Sequence, residues 1–293
     1  MSYLTGMKFF KKYQVYIFIG VLVISAILLA YFIYIRDFNH KYLKVIFFDV
    51  GQGDAIYIEA PNKKQVLIDG GPDDSVLPLL SKFMPFGDRS LDLVIATHPD
   101  SDHISGLVSV LDDYKVKTFM DNGIVNDTTV YNNLENEIEE NNIKNITAKS
   151  GMKIILDDKR NIYLDILAPF EDISKEDTND NSIVARLSYG NQSFLFTGDA
   201  TIYSEVLMHQ REKSLLDADV LKLGHHGSKG SSSILFLEDV SPKIGIISAG
   251  KNNRYGHPDG ETLERLKELQ IPYISTIDEG SIIFKTDGKN IFQ

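Results

Sequence analysis

The apolar run Leu91-Asp92-Leu93-Val94-Ile95-Ala96 leads through Thr97 into His98-Pro99-Asp100-Ser101-Asp102-His103. A run of this kind reads as a buried strand. The segment after it carries two imidazoles and two carboxylates, His98, Asp100, Asp102 and His103. It is too polar and too dense in ligands to belong to a core, so the fold has to place it at a strand end. Divalent cations bind this mixture of nitrogen and oxygen donors. A solvated turn ahead of a helix is the plainer alternative, but it leaves the clustering unexplained.

The same placement recurs along the chain. Asp69 follows Val66-Leu67-Ile68, Asp199 follows Phe194-Leu195-Phe196 through Thr197-Gly198, and His225 and His226 follow Val220-Leu221-Lys222-Leu223. In layered α/β folds, sites form where strands end, and four such ends with ligand-type residues point to one convergent site. Patterning predicts strands over 44–50, 55–59, 65–69, 162–168, 183–189, 193–197, 219–223, 244–248 and 273–276. Gly51-Gln52-Gly53-Asp54 reads as a hairpin turn. Helices are predicted over 76–84, 103–112, 201–213 and 260–269, with a solvated helical face over 135–142 and an acidic, Asn-rich surface loop over 171–181. Strands then helices, twice over, indicate two mixed sheets packed between helical layers. His40 and His209 have no ligand-type company; they read as a linker residue and a surface-helix residue.

The chain has 293 residues, a net charge of -11 and no cysteine. Disulfides, thiolate metal sites and cysteine nucleophiles are thereby excluded. A chain this acidic has no general attraction for nucleic acid or anionic lipid. Between Lys12 and Arg36 there is no charged residue, and 13–35 is long enough for one transmembrane helix. Tyr13, Tyr16, Tyr31 and Tyr34 lie near its ends, where amphipathic rings favour the interface. Lys8, Lys11 and Lys12 precede it, which predicts a cytoplasmic N-terminus over 1–12, a linker over 36–42 and an extracytoplasmic domain over 43–293. A cleaved signal peptide is the competing reading, but the apolar run exceeds the usual signal core of about 7 to 15 residues.

The ordered set Leu67-Ile68-Asp69-Gly70-Gly71, Thr97 to His103, Thr197-Gly198-Asp199 and His225-His226-Gly227-Ser228 resembles the metallo-β-lactamase superfamily. Phe48-Asp49-Val50-Gly51-Gln52-Gly53-Asp54 and Asn253-Arg254-Tyr255-Gly256-His257-Pro258 are similar to its ComEC competence-protein branch. The resemblance covers roughly residues 43–284. It implies an α/β fold of four layers, αββα, here preceded by one transmembrane helix. The usual loop of the superfamily is His-x-His-x-Asp-His; Asp100 stands where its second histidine would be, and the separate third-motif histidine is missing, Asn181 lying in the nearest region.

By that resemblance, His98 and Asp100 hold a first divalent metal and Asp102 and His103 a second. Asp199 bridges, and either His225 or His226 completes the donor set of the second metal. Asp69 and Asn181 are assigned outer supporting roles, and Asp102 and His257 catalytic ones. One or two ions are expected: oxygen donors suit Mn²⁺, while Zn²⁺ is served by His98, His103 and a later histidine. The activity implied is metal-assisted hydrolysis by a membrane-anchored phosphodiesterase or nuclease. The alternatives are a hydrolase of a small or cell-envelope phosphoester, such as choline phosphate, and a non-catalytic anchored binding module; β-lactam hydrolysis is disfavoured by the missing histidines. The implied partners are the membrane, through the helix, and DNA or an envelope phosphoester. Because Asp100, Asp102 and Asp199 repel one another without metal, its removal is expected to inactivate and destabilise the domain.

Overall fold

The structure is a computed structural model that describes residues 3–39, 41–171 and 177–293. Side chains are described for 13–31, 41–171 and 177–293. His40, the basic flank Lys8, Lys11 and Lys12, and the middle of the Asn-rich loop (172–176) lie outside them. The chain divides into two compact units, Met1–Tyr42 and Leu43–Gln293. The first is a single helix, Tyr3–Asn39. Its stretch Tyr13–Tyr31 has a mean hydropathy of 2.3 and side chains exposed all round. That is long and apolar enough to cross a membrane, and a signal sequence meets the same test.

In the second unit, period-2 alternation builds two large sheets, beside a two-stranded one of Ser90–Leu91 and Lys115–Val116. The first runs in the order Ile291–Phe292, Ile282–Thr286, Leu43–Phe47, Ile56–Glu59, Gln65–Ile68, Leu93–Ile95, Thr118–Asp121, Lys144–Thr147. The second runs Tyr273–Ser275, Ile244–Ile247, Val220–Lys222, Gln192–Phe196, Val184–Tyr189, Ile162–Ala168, Lys153–Asp157. Each sheet is antiparallel at one side and parallel at the other, the parallel part of the first beginning at the Gln65–Ile68 and Leu93–Ile95 pair. In the second it begins at the Gln192–Phe196 and Val220–Lys222 pair.

Alternate residues of one strand feed different layers. Val45 and Phe47 face Phe194, Phe196 and Val220 in a core between the sheets. Ile46 and Phe48 face the helices Val76–Phe83, Ser101–Asp113 and Thr129–Glu140 through Leu80, Leu107 and Leu134. On the far side, Leu195, Leu221 and Ile247 pack on Met208, Phe236 and Leu266 of the helices Ile202–Arg211, Ile234–Val240 and Gly260–Glu268. The four layers are therefore α, β, β, α, as expected from the sequence.

Two local readings are corrected. The helix expected over 103–112 starts two residues earlier, at Ser101, with Asp100 in extended backbone at its N-cap. Asp102 and His103 thus occupy its first turn, where the helix dipole favours a carboxylate. The 171–181 segment is not simply surface: Thr178 Oγ1 donates to Asp100 Oδ1 at 3.0 Å, and Asn181 is buried.

The inter-sheet core sets the stability of everything above it. Phe196 is 1% exposed, with its ring centroid 6.0 Å from that of Phe47. Phe196→Ala is expected to cost about 3 to 5 kcal/mol, read as a lowered denaturant midpoint of the purified chain; a loss below about 1 kcal/mol would place the core elsewhere.

Candidate metal centre

Backbone pairing brings the strand ends together. Asp69 N–H donates to Ile95 O at 2.8 Å, and Ala96 N–H to Met120 O at 2.8 Å, so Asp69 and the His98 loop leave the first sheet side by side. Ile183 N–H donates to Thr97 O at 2.9 Å, tying that loop to the second sheet. His225 N–H donates to Gly198 O at 3.2 Å, which seats the histidine pair beside Asp199. Glycine is required at two contacts. A Cβ on Gly106 would lie 2.1 Å from Gly70 O, so the helix could not approach the Asp69 loop. A Cβ on Gly53, whose φ is +135°, would lie 2.1 Å from Asp102 O. Asp69, His225 and His226 all hold positive φ without being glycine, a local strain that clusters where function is held.

Three imidazoles are aimed by their Nδ1 atoms. Asp69 Oδ2 accepts from Thr97 Oγ1 at 2.8 Å and from His103 Nδ1 at 2.9 Å. Thr97 Oγ1, its proton given to Asp69, accepts from His98 Nδ1 at 3.0 Å. His226 Nδ1 donates to Ser248 O at 2.9 Å. When a ring is neutral with Nδ1 protonated, its Nε2 presents a lone pair toward the centre. All three converge on Asp199: His103 Nε2 lies 3.3 Å from Oδ1, His98 Nε2 3.9 Å and His226 Nε2 3.5 Å from Oδ2. Asp102 Oδ2 is 3.4 Å from His226 Nε2, and Asp100 Oδ2 is 3.8 Å from His98 Nε2. The Nε2 atoms of His98, His103 and His226 and Asp199 Oδ1 are buried with no hydrogen-bond partner.

Such a concentration of orphaned donor atoms is costly unless something satisfies them. A cation held at about 2.1 Å from each donor spaces neighbouring donors by about 3 to 3.4 Å. The observed separations need only a slight contraction. The donor set therefore fits a divalent metal. The carboxyl-to-imidazole contact from Asp69 has the form of an outer support that fixes ring orientation at metal sites.

Two residues of the centre were not singled out in the sequence. Asp54, read as part of a hairpin turn, is 1% exposed, and its ligand atoms lie within 4.8 Å of those of His103, Asp199 and His226. Lys222, read as one more strand residue, is 0% exposed; its Nζ pairs with Asp54 Oδ2, donates to Gly198 O at 2.9 Å and lies 3.7 Å from Asp199 Oδ1. The alternation could have found it: Val220 faces the inter-sheet core and Leu221 the helices, which puts a lysine at an inward position.

Of the residues predicted from sequence, His98, Asp100, Asp102, His103, Asp199 and His226 come together, with Asp69 behind them. His226 is buried while His225 is about a third exposed, its Nε2 3.6 Å from Asp199 Oδ2 and its ring 5.5 Å from that of His257. His257 stands beside His225 at the rim. Asn181 lies further out: its Nδ2 donates to Asp177 O at 2.9 Å and its carbonyl accepts from Asn122 Nδ2 at 3.2 Å. His209 pairs with Asp239 at 2.5 Å on the helix Ile202–Arg211, away from these residues in the fold.

Charge divides the imidazoles. Burial, reinforced by neighbouring His103, holds His98 down to about 3. Burial also opposes a charge on His226, but Asp199, Asp102 and Asp54 outweigh it and raise the ring to about 9. His103 is raised by Asp199 and Asp69 against the same burial, and Asp199 is held well below the usual carboxylate range by His226 and His103. Protons on the imidazoles thus balance the carboxylates until a cation displaces them.

The sequence pattern of the metallo-beta-lactamase superfamily matches residues 48–251. The chain belongs to that superfamily. Within the superfamily it is similar to ComE operon protein 3 of Bacillus subtilis (strain 168), 32% identical over 262 residues, covering 81% of this chain and 32% of that protein. It is also similar to Recombination protein 2 of Haemophilus influenzae, 29% identical over 240 residues, covering 80% of this chain and 28% of the other. The chain thus spans about a third of the length of these curated relatives. Among solved structures, Igni18, a metallo hydrolase of Ignicoccus hospitalis, aligns with a TM-score of 0.54 at 15% identity over 84% of this chain and 99% of its own. That likeness supports the superfamily fold.

Two outcomes are expected. Asp69→Ala frees Thr97 and His103 to reorient, and should weaken divalent-metal affinity about 10- to 100-fold, measured by competition with a metal-chelating dye. Because His226 carries a proton up to about pH 9, metal must displace it. Apparent affinity should therefore rise with pH, by up to about tenfold per unit per displaced proton; affinity flat between about pH 6 and 8 would rule out His226 as the competing site.

Proposed function

We propose that this superfamily member is a membrane-anchored, metal-dependent phosphodiesterase that cleaves nucleic acid. The observation that carries the reading is the convergence of three partnerless imidazole Nε2 atoms on Asp199, with Asp100 and Asp102 flanking them. Membership of this superfamily together with the donor set supports metal-dependent hydrolysis, and the similarity to competence and recombination proteins supports nucleic acid as the substrate. The exposed apolar stretch Tyr13–Tyr31 supports anchoring, with the domain on the extracytoplasmic side as the charge asymmetry of the flanks predicts.

In this reading His98, Asp100 and Asp199 hold one cation, and Asp102, His103, His226 and Asp199 hold another. A divalent cation there supplies Lewis acidity toward a phosphoryl oxygen and makes water a stronger acid. Asp102 does double duty, since it also lines a cleft of about 400 Å³ together with Gln52, Pro72, Ser101, Arg254 and Tyr255. The cleft wall is held by Asn253, whose Nδ2 donates to Gly250 O and His257 O and whose Oδ1 accepts from Tyr255 N–H and His257 N–H. It presents Arg254, with its guanidinium 4.8 Å from the half-exposed Tyr255 ring. A cation at that position favours a phosphate and opposes a quaternary ammonium group, which sets a phosphodiester above choline phosphate.

His257 packs beside His225 and Tyr255. Burial and nearby His225 lower its pKa, so the ring is neutral at neutral pH. It can take a proton from water and return it to the leaving oxygen.

The test is cleavage of labelled single-stranded DNA and of bis(p-nitrophenyl) phosphate by the full chain in detergent, with Mn²⁺, Mg²⁺ or Zn²⁺. Both should be cleaved, Asp102→Ala should abolish turnover, and His257→Ala should lower kcat about 10²- to 10⁴-fold. Bound metal without DNA cleavage, but with turnover of the small diester, would move the substrate to a small envelope phosphoester.

A further inference from the structure

We infer that Lys222 is a built-in counter-ion of the metal centre: held by Asp54 and the Gly198 carbonyl beside Asp199, it keeps Asp54 out of the ligand set, maintains the shape of the centre before a cation arrives, and sets how tightly that cation binds. The inference rests on the metal-binding reading of the site and is about this chain's own residues.

The position of the ammonium is over-determined. Lys222 ends the strand Val220–Lys222, which is flanked on both sides by parallel strands, and its carbonyl accepts from Thr197 Oγ1 at 2.7 Å. Its side chain is fully buried on the inter-sheet side. An ammonium has three donors; here one meets Asp54 Oδ2, one the Gly198 carbonyl at 2.9 Å, and the third side faces Asp199 Oδ1 at 3.7 Å. No metal ligand is needed to explain where it sits.

Asp54 is close enough to be mistaken for a ligand, since it falls within the compact group with His103, Asp199 and His226. Its orientation argues otherwise. Oδ2 is taken by Lys222, and Oδ1, buried without a hydrogen-bond partner, lies 3.5 Å from His226 Nδ1. That is the back of the ring, opposite the Nε2 that faces Asp102 and Asp199. Asp54 therefore anchors the lysine and backs the imidazole, while Asp199 is left with Oδ2 toward His98, His225 and His226.

The electrostatic consequence is twofold. A buried carboxylate without a fixed partner is strongly unfavourable. With Lys222 present, Asp54 is neutralised within the fold and Asp199 has a permanent positive neighbour, so the repulsion among carboxylates in the metal-free domain is partly compensated. The destabilisation expected on metal removal should therefore be limited, and the metal-free domain should stay folded. The same positive charge opposes an incoming divalent cation, so it trades affinity for a preformed site.

Lys222 is a positioning residue, and its test reads metal affinity and apo stability. The probe is Mn²⁺ alone, titrated into the chelator-stripped full chain in detergent and followed by competition with a fluorescent chelator, with melting recorded with and without the ion. Wild-type binding of Mn²⁺ tests the metal reading itself; no binding by wild type sinks that reading, and the inference with it. Given binding, Lys222→Met should raise Mn²⁺ affinity at least tenfold and lower the apo melting temperature more than the Mn²⁺-loaded one. Asp54→Asn keeps the lysine and removes its fixed anion, so it should lower Mn²⁺ affinity at least threefold. The double variant should lie between the two. If Lys222→Met does not fold, the Asp54→Asn result decides alone. Affinity unchanged or raised in Asp54→Asn, equal loss of apo and loaded stability in Lys222→Met, or a wild-type domain that unfolds on stripping would each overturn the inference.

Discussion

The centre depends on one buried carboxylate. Asp69 accepts from the Thr97 backbone N–H, from the Thr97 hydroxyl and from His103 Nδ1, all between 2.8 and 2.9 Å. Through the same hydroxyl it also sets His98. One residue thus fixes the loop path, the orientation of two rings and the direction of their lone pairs. It does so from a left-handed backbone conformation that non-glycine residues adopt only under constraint. The constraint is supplied by the strand pairing beneath it and by the glycine contact that lets the helix Ser101–Asp113 close over it.

The fold was legible where burial writes a period into the chain. Alternation at 43–47 and 192–196 carries the information that one strand serves two layers. The ligand-type residues at strand ends were legible for a related reason: nothing apolar packs there, so polar side chains stand out against the runs before them. Asp54 was hidden because a Gly-rich turn is a sufficient explanation of its own sequence, and only the tertiary contact of Gly53 with Asp102 reveals that the turn points inward. Lys222 was hidden inside an apolar strand, because one charged residue at a strand end is ordinary unless its partner is known. The difference between His225 and His226 was not available in sequence either: His226 is buried and its Nδ1 donates to the Ser248 carbonyl, while His225 is about a third exposed.

Superfamily membership and the site fit one another physically. The usual second histidine of the loop is Asp100 here, which leaves the first position richer in oxygen, and its Thr178 contact comes from a segment that reads as surface. An oxygen donor in that place is one that harder ions accept more readily than they accept an imidazole.

The pairing of the first sheet has a consequence for how the domain is made. Leu43–Phe47 lies between Ile56–Glu59 and Ile282–Thr286, register-matched from Leu43 opposite Thr286 to Phe47 opposite Ile282. One edge of this early strand therefore waits unpaired while more than two hundred residues are synthesised. Completion of the first sheet must wait for Ile282–Thr286 to be made, and until then the nascent domain carries an open, apolar edge of the kind that aggregation exploits.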